Sequence, residues 1–317
     1  MKKKQYILYL IIFVLLCALS FFIGKETAGP SNNRPAASQS GSGIYAPAAS
    51  QKLSPYSDSQ VVADYQGLKI TYTGFEPCEG SSCCKACFKA ENSSTVDYNF
   101  SANMFEIGGE KISFYCGGDI APHTESTVNA YIYPSALSYI SHLQDSAVIS
   151  FTVKDSDYNY IGTTEPAEIK LPGLSSLAKY NGFTGTDLID TEAIKLSVLG
   201  GEAVDNNQYI LLVKAERKTD HNLYFSTPLS DGNTMNGSPA MVLWATTFDQ
   251  GDGIYIINIA DCSPSDSGEN ILHLDELKVH DMTAGYKDLG STGNKGITIA
   301  FAEDGSVAGI DSDFASR

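Results

Sequence analysis

The chain is short of positive charge: Lys and Arg number 21 against 37 Asp and Glu, a net of −16. Lys2, Lys3, Lys4, Lys25, Arg34 and the single acid Glu26 fall in the first 50 positions, leaving 16 basic and 36 acidic residues beyond them, a net of −20. A polyanion is bound by neutralising its phosphates with Lys and Arg, so nucleic acid is excluded as a partner. Acidity of this kind first of all keeps a surface protein soluble. Histidine is also scarce. The five (His123, His142, His221, His273, His280) show no metal-ligand spacing. No Ser or Cys stands in a nucleophile motif and no paired-acid motif survives inspection, so no catalytic, cofactor or metal residue is assigned and no enzyme is expected. The single Trp244 sits in the apolar run Met241 to Thr247, as a core residue would.

What is present points to β structure. Hydrophobic residues make up 43%, charged ones only 18%, and 28 Gly, 18 Tyr and 14 Phe favour strands and turns. A length of 317 residues suits about two domains once non-globular ends are removed.

Lys2, Lys3 and Lys4 precede an 18-residue apolar run, Tyr6 to Ile23, a charged start followed by an export-type segment. The run is long for a signal peptide and just long enough to cross a bilayer. Cleavage after Ser20 would leave Phe21, Phe22 and Ile23 as an apolar stub. Leu16 occupies the position where a lipobox wants a small residue before Cys17, so Cys17 reads as one more apolar residue of the span. Residues 1–23 are therefore expected to be a retained membrane anchor with everything after Gly24 outside, the alternative being secretion after cleavage. Residues 24–58, rich in Ser, Ala, Pro and Gly, cannot form a core and read as a disordered stalk. If flexible, they reach about 30–35 Å by random-coil scaling.

Beyond the stalk the chain repeats itself. Lys89-Ala90-Glu91 matches Lys214-Ala215-Glu216 and Phe100-Ser101 matches Phe225-Ser226, both at an offset of 125, while Val153-Lys154-Asp155 falls opposite Val279-His280-Asp281 at 126. Each copy divides into seven runs of strand character. The first has Gly67–Phe75, Cys84–Asn92, Tyr98–Ile107, Lys111–Tyr115, Ser126–Tyr133, Val148–Lys154 and Glu168–Leu171. The second has Ala193–Leu199, Tyr209–Glu216, Leu223–Thr227, Met241–Thr247, Gly253–Ile259, Ile271–Val279 and Gly296–Phe301. Seven short strands in about 110 residues predict an all-β chain of two tandem immunoglobulin-like β-sandwiches, 59–172 and 186–317, joined by a linker, 173–185. Only Ser135–Leu143 has helical spacing, enough for a single turn or two, and is expected to cap the first sandwich. Strand alternation places Phe88, Ala90, Val213 and Ala215 inside, and Lys89, Glu91, Lys214 and Glu216 on a solvated face.

The stretch FKAENSSTVDYNFSANMFEIGGEKI, followed by GGDIAPHTESTVNAYIY, resembles the immunoglobulin-like extracellular domains of unknown function found on Gram-positive lipoproteins and membrane-anchored surface proteins. The matching positions are Glu91-Asn92, Phe100-Ser101, Gly108-Gly109 and Ile120-Ala121-Pro122, with His123 where that family usually has Gly. The second copy has Arg217 in place of the Asn and lacks the Pro turn. The resemblance implies fold and extracytoplasmic location, and brings no catalytic residues.

Three groups of residues remain as candidates. Cys78, Cys83, Cys84, Cys87, Cys116 and Cys262 lie beyond the apolar segment. A second Cys-x-x-Cys is missing, and adjacent Cys83 and Cys84 would face opposite sides of a strand, which disfavours a zinc cage. Disulfides fit better, above all within Cys78 to Cys87, with free or buried thiols as the alternative. Asp155-Ser156-Asp157-Tyr158-Asn159 imitates the start of a calcium loop, but Tyr160 and Pro166 replace the Gly and Glu that such a loop needs. Asp249, Asp252 and Asp261 are expected in polar turns, with an ion site at one end of the second copy as the alternative. Tyr131, Tyr133, Tyr139, Tyr158 and Tyr160 offer a surface for a glycan or a protein, against the plainer expectation that half or more of the rings belong to the core. The expected function is binding or structural display at the cell envelope, with a ligand- or ion-sensing accessory ectodomain as the alternative and a hydrolase with a scattered active site behind it.

Overall fold

A computed structural model describes residues 55–317 except 79–82, 229–231, 244, 248–251, 266, 267, 284, 313 and 317. The segment expected to be an anchor, Cys17, most of the expected stalk, Trp244 and Asp249 lie outside the described residues. Among those described, no helix is long and apolar enough to cross a membrane. The fold is all-β.

The first half contains β1 (Gln60–Tyr65), β2 (Leu68–Pro77), β3 (Cys84–Asn92), β4 (Tyr98–Ala102), β5 (Phe105–Ile107), β6 (Glu110–Ile112), β7 (Cys116–Ile120), β8 (Glu125–Ile132), β9 (Ser146–Ile149), β10 (Thr152–Lys154), β11 (Tyr160–Thr163) and β12 (Ala167–Lys170). The second contains β13 (Thr186–Asp190), β14 (Ile194–Asp205), β15 (Gln208–Arg217), β16 (Leu223–Ser226), β17 (Thr234–Met235), β18 (Ser238–Pro239), β19 (Met241–Leu243), β20 (Ala245–Thr247), β21 (Gly253–Ala260), β22 (Asn270–Leu274), β23 (Lys278–Asp281), β24 (Lys287–Ser291), β25 (Ile297–Phe301), β26 (Val307–Ser312) and β27 (Ala315–Ser316).

Strand order recurs between the halves. The order β1-β2-β3-β8 has its counterpart in β13-β14-β15-β21, and β11-β10-β4-β7 in β24-β23-β16-β20. The order β12-β9-β5-β6 has its counterpart in β25-β22-β17-β18. Register recurs as well: Phe100 pairs with Val153 and Phe225 with Val279. Bulges fall at Val61/Ala63 and Tyr72/Gly74 in one half and at Asp187/Ile189 and Val198/Gly200 in the other. A bulge is a specified bend of the strand rather than a defect, and these recur at corresponding places in the two halves.

Seven strands per copy was too few. Tyr98–Ile107 is two strands in different sheets, as are Val148–Lys154 and Ile271–Val279, and Lys111–Tyr115 leaves its strand after Ile112. An apolar run that crosses from one sheet to the next keeps facing the core on both sides of the corner, so its pattern looks unbroken. The helical spacing of Ser135–Leu143 yields one turn, Pro134–Leu137, within the expected length, and it buries Ala136 and Leu137.

The repeat residues sit as alternation requires. Phe88, Ala90, Val213 and Ala215 are buried. Phe88 and Phe100 both meet the ring of Phe151 edge-on, at 6.0 and 6.1 Å, contacts each worth about 0.5–1.5 kcal/mol beyond area burial. On the outer face Lys89 bridges Glu91 and Glu125 at 3.3 and 2.7 Å. On the corresponding face of the second half Lys214, also part-exposed, reaches Glu110 of the first half at 3.7 Å.

That ion pair marks a shared sheet. Ile112 of β6 pairs in parallel with Ile254 of β21, joining strands of both halves into one nine-stranded sheet. Ser113 fixes the seam by donating its amide to the Ile254 carbonyl at 2.9 Å and accepting the Ile256 amide on its hydroxyl at 2.8 Å. Gly253 permits the approach, since a Cβ there would lie 2.7 Å from the Lys111 carbonyl oxygen. Leu199, Ile210, Leu212 and Ile254 join the first half's core, and Met104 joins the second's. Tyr209 to Val213 is accordingly buried at every position, whereas β3 alternates.

Candidate functional site

One hairpin is built the same way in both halves. In the first, β10 and β11 are joined across Asp155–Asn159, where the Asp155 carboxylate accepts the amides of Asp157 and Asn159 at 2.9 and 2.8 Å and the Asn159 side-chain amide at 3.0 Å. The bonds from Asn159 hold the Asp155 carboxyl below its ordinary range. In the second half, Asp281, 126 positions on, accepts the Thr283 amide at 2.9 Å. Each turn then places a tyrosine in the left-handed region, Tyr158 at φ +62° and Tyr286 at φ +66°. Gly, Asn or Asp is the ordinary occupant of such a position; a bulky L-residue there costs about 1–2 kcal/mol. Two tyrosines kept at matching turns against that cost point to a use for the side chain.

The rings lie at the outer surface. Tyr286 is 52% exposed and stacks on His280 with centroids 4.4 Å apart and planes 21° from parallel. His280 faces Tyr224 across the strand pair, ring centroids 6.3 Å apart, and Tyr286 is 6.0 Å from Tyr224. Three rings thus form one patch. Asp281 also bonds His221 Nδ1 at 2.7 Å, and the Thr283 hydroxyl accepts the Asn222 amide at 2.8 Å, so the hairpin is pinned to the strand edge. In the first half Tyr158 and Tyr160 are 58% and 67% exposed, and Tyr115, 61% exposed, lies within electrostatic reach of both Tyr158 and Asp119.

The predicted tyrosine surface is divided. Tyr158 and Tyr160 share a hairpin, but Tyr131 is on β8 opposite Lys85, in a different sheet. Tyr133 packs half-buried against the core and Tyr139 lies at the joint between the halves. Sequence reading missed Tyr115, Tyr224, His280 and Tyr286. The signal was there in the matched Asp155 and Asp281, each followed within five residues by a tyrosine.

The cysteines separate by strand alternation. Cys78 and Cys83 form a disulfide across the β2–β3 hairpin, inside the expected window, whereas Cys84, Cys87, Cys116 and Cys262 are thiols. Cys84 points into the core and Cys87 to the opposite face, so neither reaches the bridge or the other. Burial pushes the Cys84 thiol up to about 11 and raises Cys87 and Cys116 as well, which disfavours their thiolate forms.

Two of the acidic candidates are engaged by their own chain. Asp155 is filled by its hairpin, and Asp252 accepts the Arg217 amide at 2.6 Å. Asp252 and Asp261 flank the eight residues of β21, so the gathering of Asp252 with Asp261 at one end is corrected. A strand of that length holds its ends roughly 25 Å apart. Among the described residues no group of three His, Cys, Asp or Glu side chains is placed to hold a metal ion. The His221–Asp281 pair has the geometry of an oriented imidazole, but its other ring nitrogen faces Asp220 at 3.9 Å rather than a hydroxyl or thiol.

No protein-family model and no curated protein matches the chain. Among solved structures it is similar to a conserved domain protein from Bacillus anthracis, at 10% identity and a TM-score of 0.25 over 82% of this chain and 90% of that one. It is also similar to the central fibronectin-III array of RIM-binding protein, at 7% identity and a TM-score of 0.13 over 83% and 98%.

Proposed function

We propose that this chain is a cell-envelope protein in which two tandem immunoglobulin-like sandwiches, 59–172 and 186–317, are held outside the membrane by the apolar segment Tyr6–Ile23 and bind a partner rather than catalyse a reaction. The observation that carries the binding role is the duplicated hairpin with its left-handed, half-exposed tyrosine. Recurrent strand order supports the tandem reading, and the resemblance of residues 60–172 to Gram-positive surface domains agrees with it. The Cys78–Cys83 bridge suits an oxidising compartment, and the charge of −16 suits a protein kept soluble at a surface.

Fractionation of cells making the full chain tests the location. Membrane recovery is expected, with release of a fragment beginning in 24–58 when protease is added to wall-opened cells; recovery in the cytosol with Cys78 and Cys83 reduced overturns it. For the binding role, purified residues 55–317 should sediment with envelope fragments of the same cells. Failure to sediment above a carrier-protein control removes that part of the proposal.

A further inference from the structure

Both hairpin patches combine exposed tyrosine rings with nearby carboxylates. In the second half the Tyr224, His280 and Tyr286 rings lie within 6.3 Å of one another, and Tyr286 offers an exposed ring. The fully exposed side chain of Asp220 faces His221, and His221 is held by Asp281 beside that patch. In the first half Tyr115, Tyr158 and Tyr160 are all more than half exposed, with Asp119 within electrostatic reach of Tyr115 and exposed Asp157 next to Tyr158. Lys154 and Lys287 are the cations nearest in sequence to the two turns, and both are outnumbered by carboxylates.

We infer that these patches take cationic side chains of a basic protein segment, a Lys- or Arg-rich stretch whose guanidinium or ammonium groups lie over the tyrosine rings. This rests on the binding role proposed above and names its partner class. A cation is drawn to an aromatic face, and Arg also stacks flat on it. The excess of acid over base attracts the same partner at long range and repels an anionic one. Duplication adds avidity, because one basic segment long enough to span both hairpins engages the second patch intramolecularly.

The test uses the full chain in detergent micelles with a fluorescent octa-arginine peptide, read by anisotropy at low and moderate salt. The double variant Tyr158→Gly/Tyr286→Gly removes both rings while suiting the left-handed backbone, so it should fold; Tyr158→Phe/Tyr286→Phe keeps the aromatic faces. At least a fivefold loss of affinity in the glycine variant, with the phenylalanine variant within twofold of the parent, is expected. Equal affinity in the glycine variant would mean that the acidic surface binds the peptide unaided and would overturn the site, as would no peptide binding by the parent. A neutral chito-oligosaccharide that binds in a tyrosine-dependent way, where octa-arginine does not, would remove the cationic class and leave the binding role standing. Loss of envelope sedimentation by the parent protein would instead count against the binding role itself.

Discussion

Tyr139 of the first half donates its hydroxyl to the Leu199 carbonyl of the second at 3.0 Å, closing one end of the seam that Ile112 and Ile254 begin. Its ring also meets Phe183 at 6.4 Å, so the segment between the halves is packed against the joint rather than strung between two beads. The neighbouring glycine leaves room for this: a Cβ on Gly200 would lie 2.4 Å from the Tyr139 hydroxyl.

The joint should therefore melt with the halves. Leu212 is buried against the first half's core although it belongs to β15 of the second. Leu212→Ala is expected to cost about 2–5 kcal/mol, the usual range for a truncated core leucine. Hydrogen exchange should show lost protection on both β15 and β5–β6. Loss confined to the second half would mean that the two halves open independently.

Glu202 gives the same region a dependence on pH. It lies on β14 opposite Ile210, and burial raises its carboxyl above the ordinary range. A carboxyl whose folded value is raised stabilises the fold when protonated, fully below its unfolded value of about 4.3, and that contribution is lost as pH rises through the folded value. Glu202→Gln should raise the denaturation midpoint at pH 7, by about 0.5–2 kcal/mol as relief of a misfit commonly does, and flatten the fall in stability above about pH 4. Equal pH dependence in parent and variant would mean that Glu202 is not the group responsible.

Much of this was readable from residue order alone. The repeat, the inward Phe88, Ala90, Val213 and Ala215, and a bridge within Cys78 to Cys87 all follow from period-2 alternation and spacing. The joint was harder to see, yet it left a trace. Where β3 reads CKACFKAE, β15 reads QYILLVKAE, and an uninterrupted apolar run means a strand covered on both faces. Corners such as Ser150–Phe151 leave no trace, because Phe151 stays inside on both sides of the turn. The left-handed backbone of the tyrosine turns was not legible, because residue type is the usual guide to such a turn and Tyr158 and Tyr286 contradict it.

The thiols should be distinguishable by access. Non-reducing mass analysis of residues 55–317 is expected to find one bridge, Cys78–Cys83, with Cys87 alkylated first in the native protein and Cys84, Cys116 and Cys262 only on unfolding. Cys83→Ser should cost about 2 kcal/mol, the loop-closure value for so short a loop. A second bridge, or native labelling of Cys116 as fast as Cys87, would contradict this arrangement.

Tyr158 allows the cost of its conformation to be measured apart from any ligand. Its ring is more than half exposed and has no stacking partner among the described residues, so replacing it removes little packing. The turn itself is held by Asp155 and by the backbone pairs between Asp155 and Asn159 and between Asp155 and Tyr158, none of which uses the tyrosine side chain. Asn tolerates the left-handed region far better than Tyr and spares the extra backbone entropy of Gly. Tyr158→Asn should therefore stabilise the protein, by about 0.5–1 kcal/mol in urea or thermal unfolding. Tyr286→Asn should gain less or nothing, since it also gives up the stack on His280, a contact worth about 0.5–1.5 kcal/mol. A loss of more than about 1 kcal/mol in Tyr158→Asn would show that the ring supports the fold, and retention of Tyr158 against stability would then no longer argue for a contact role.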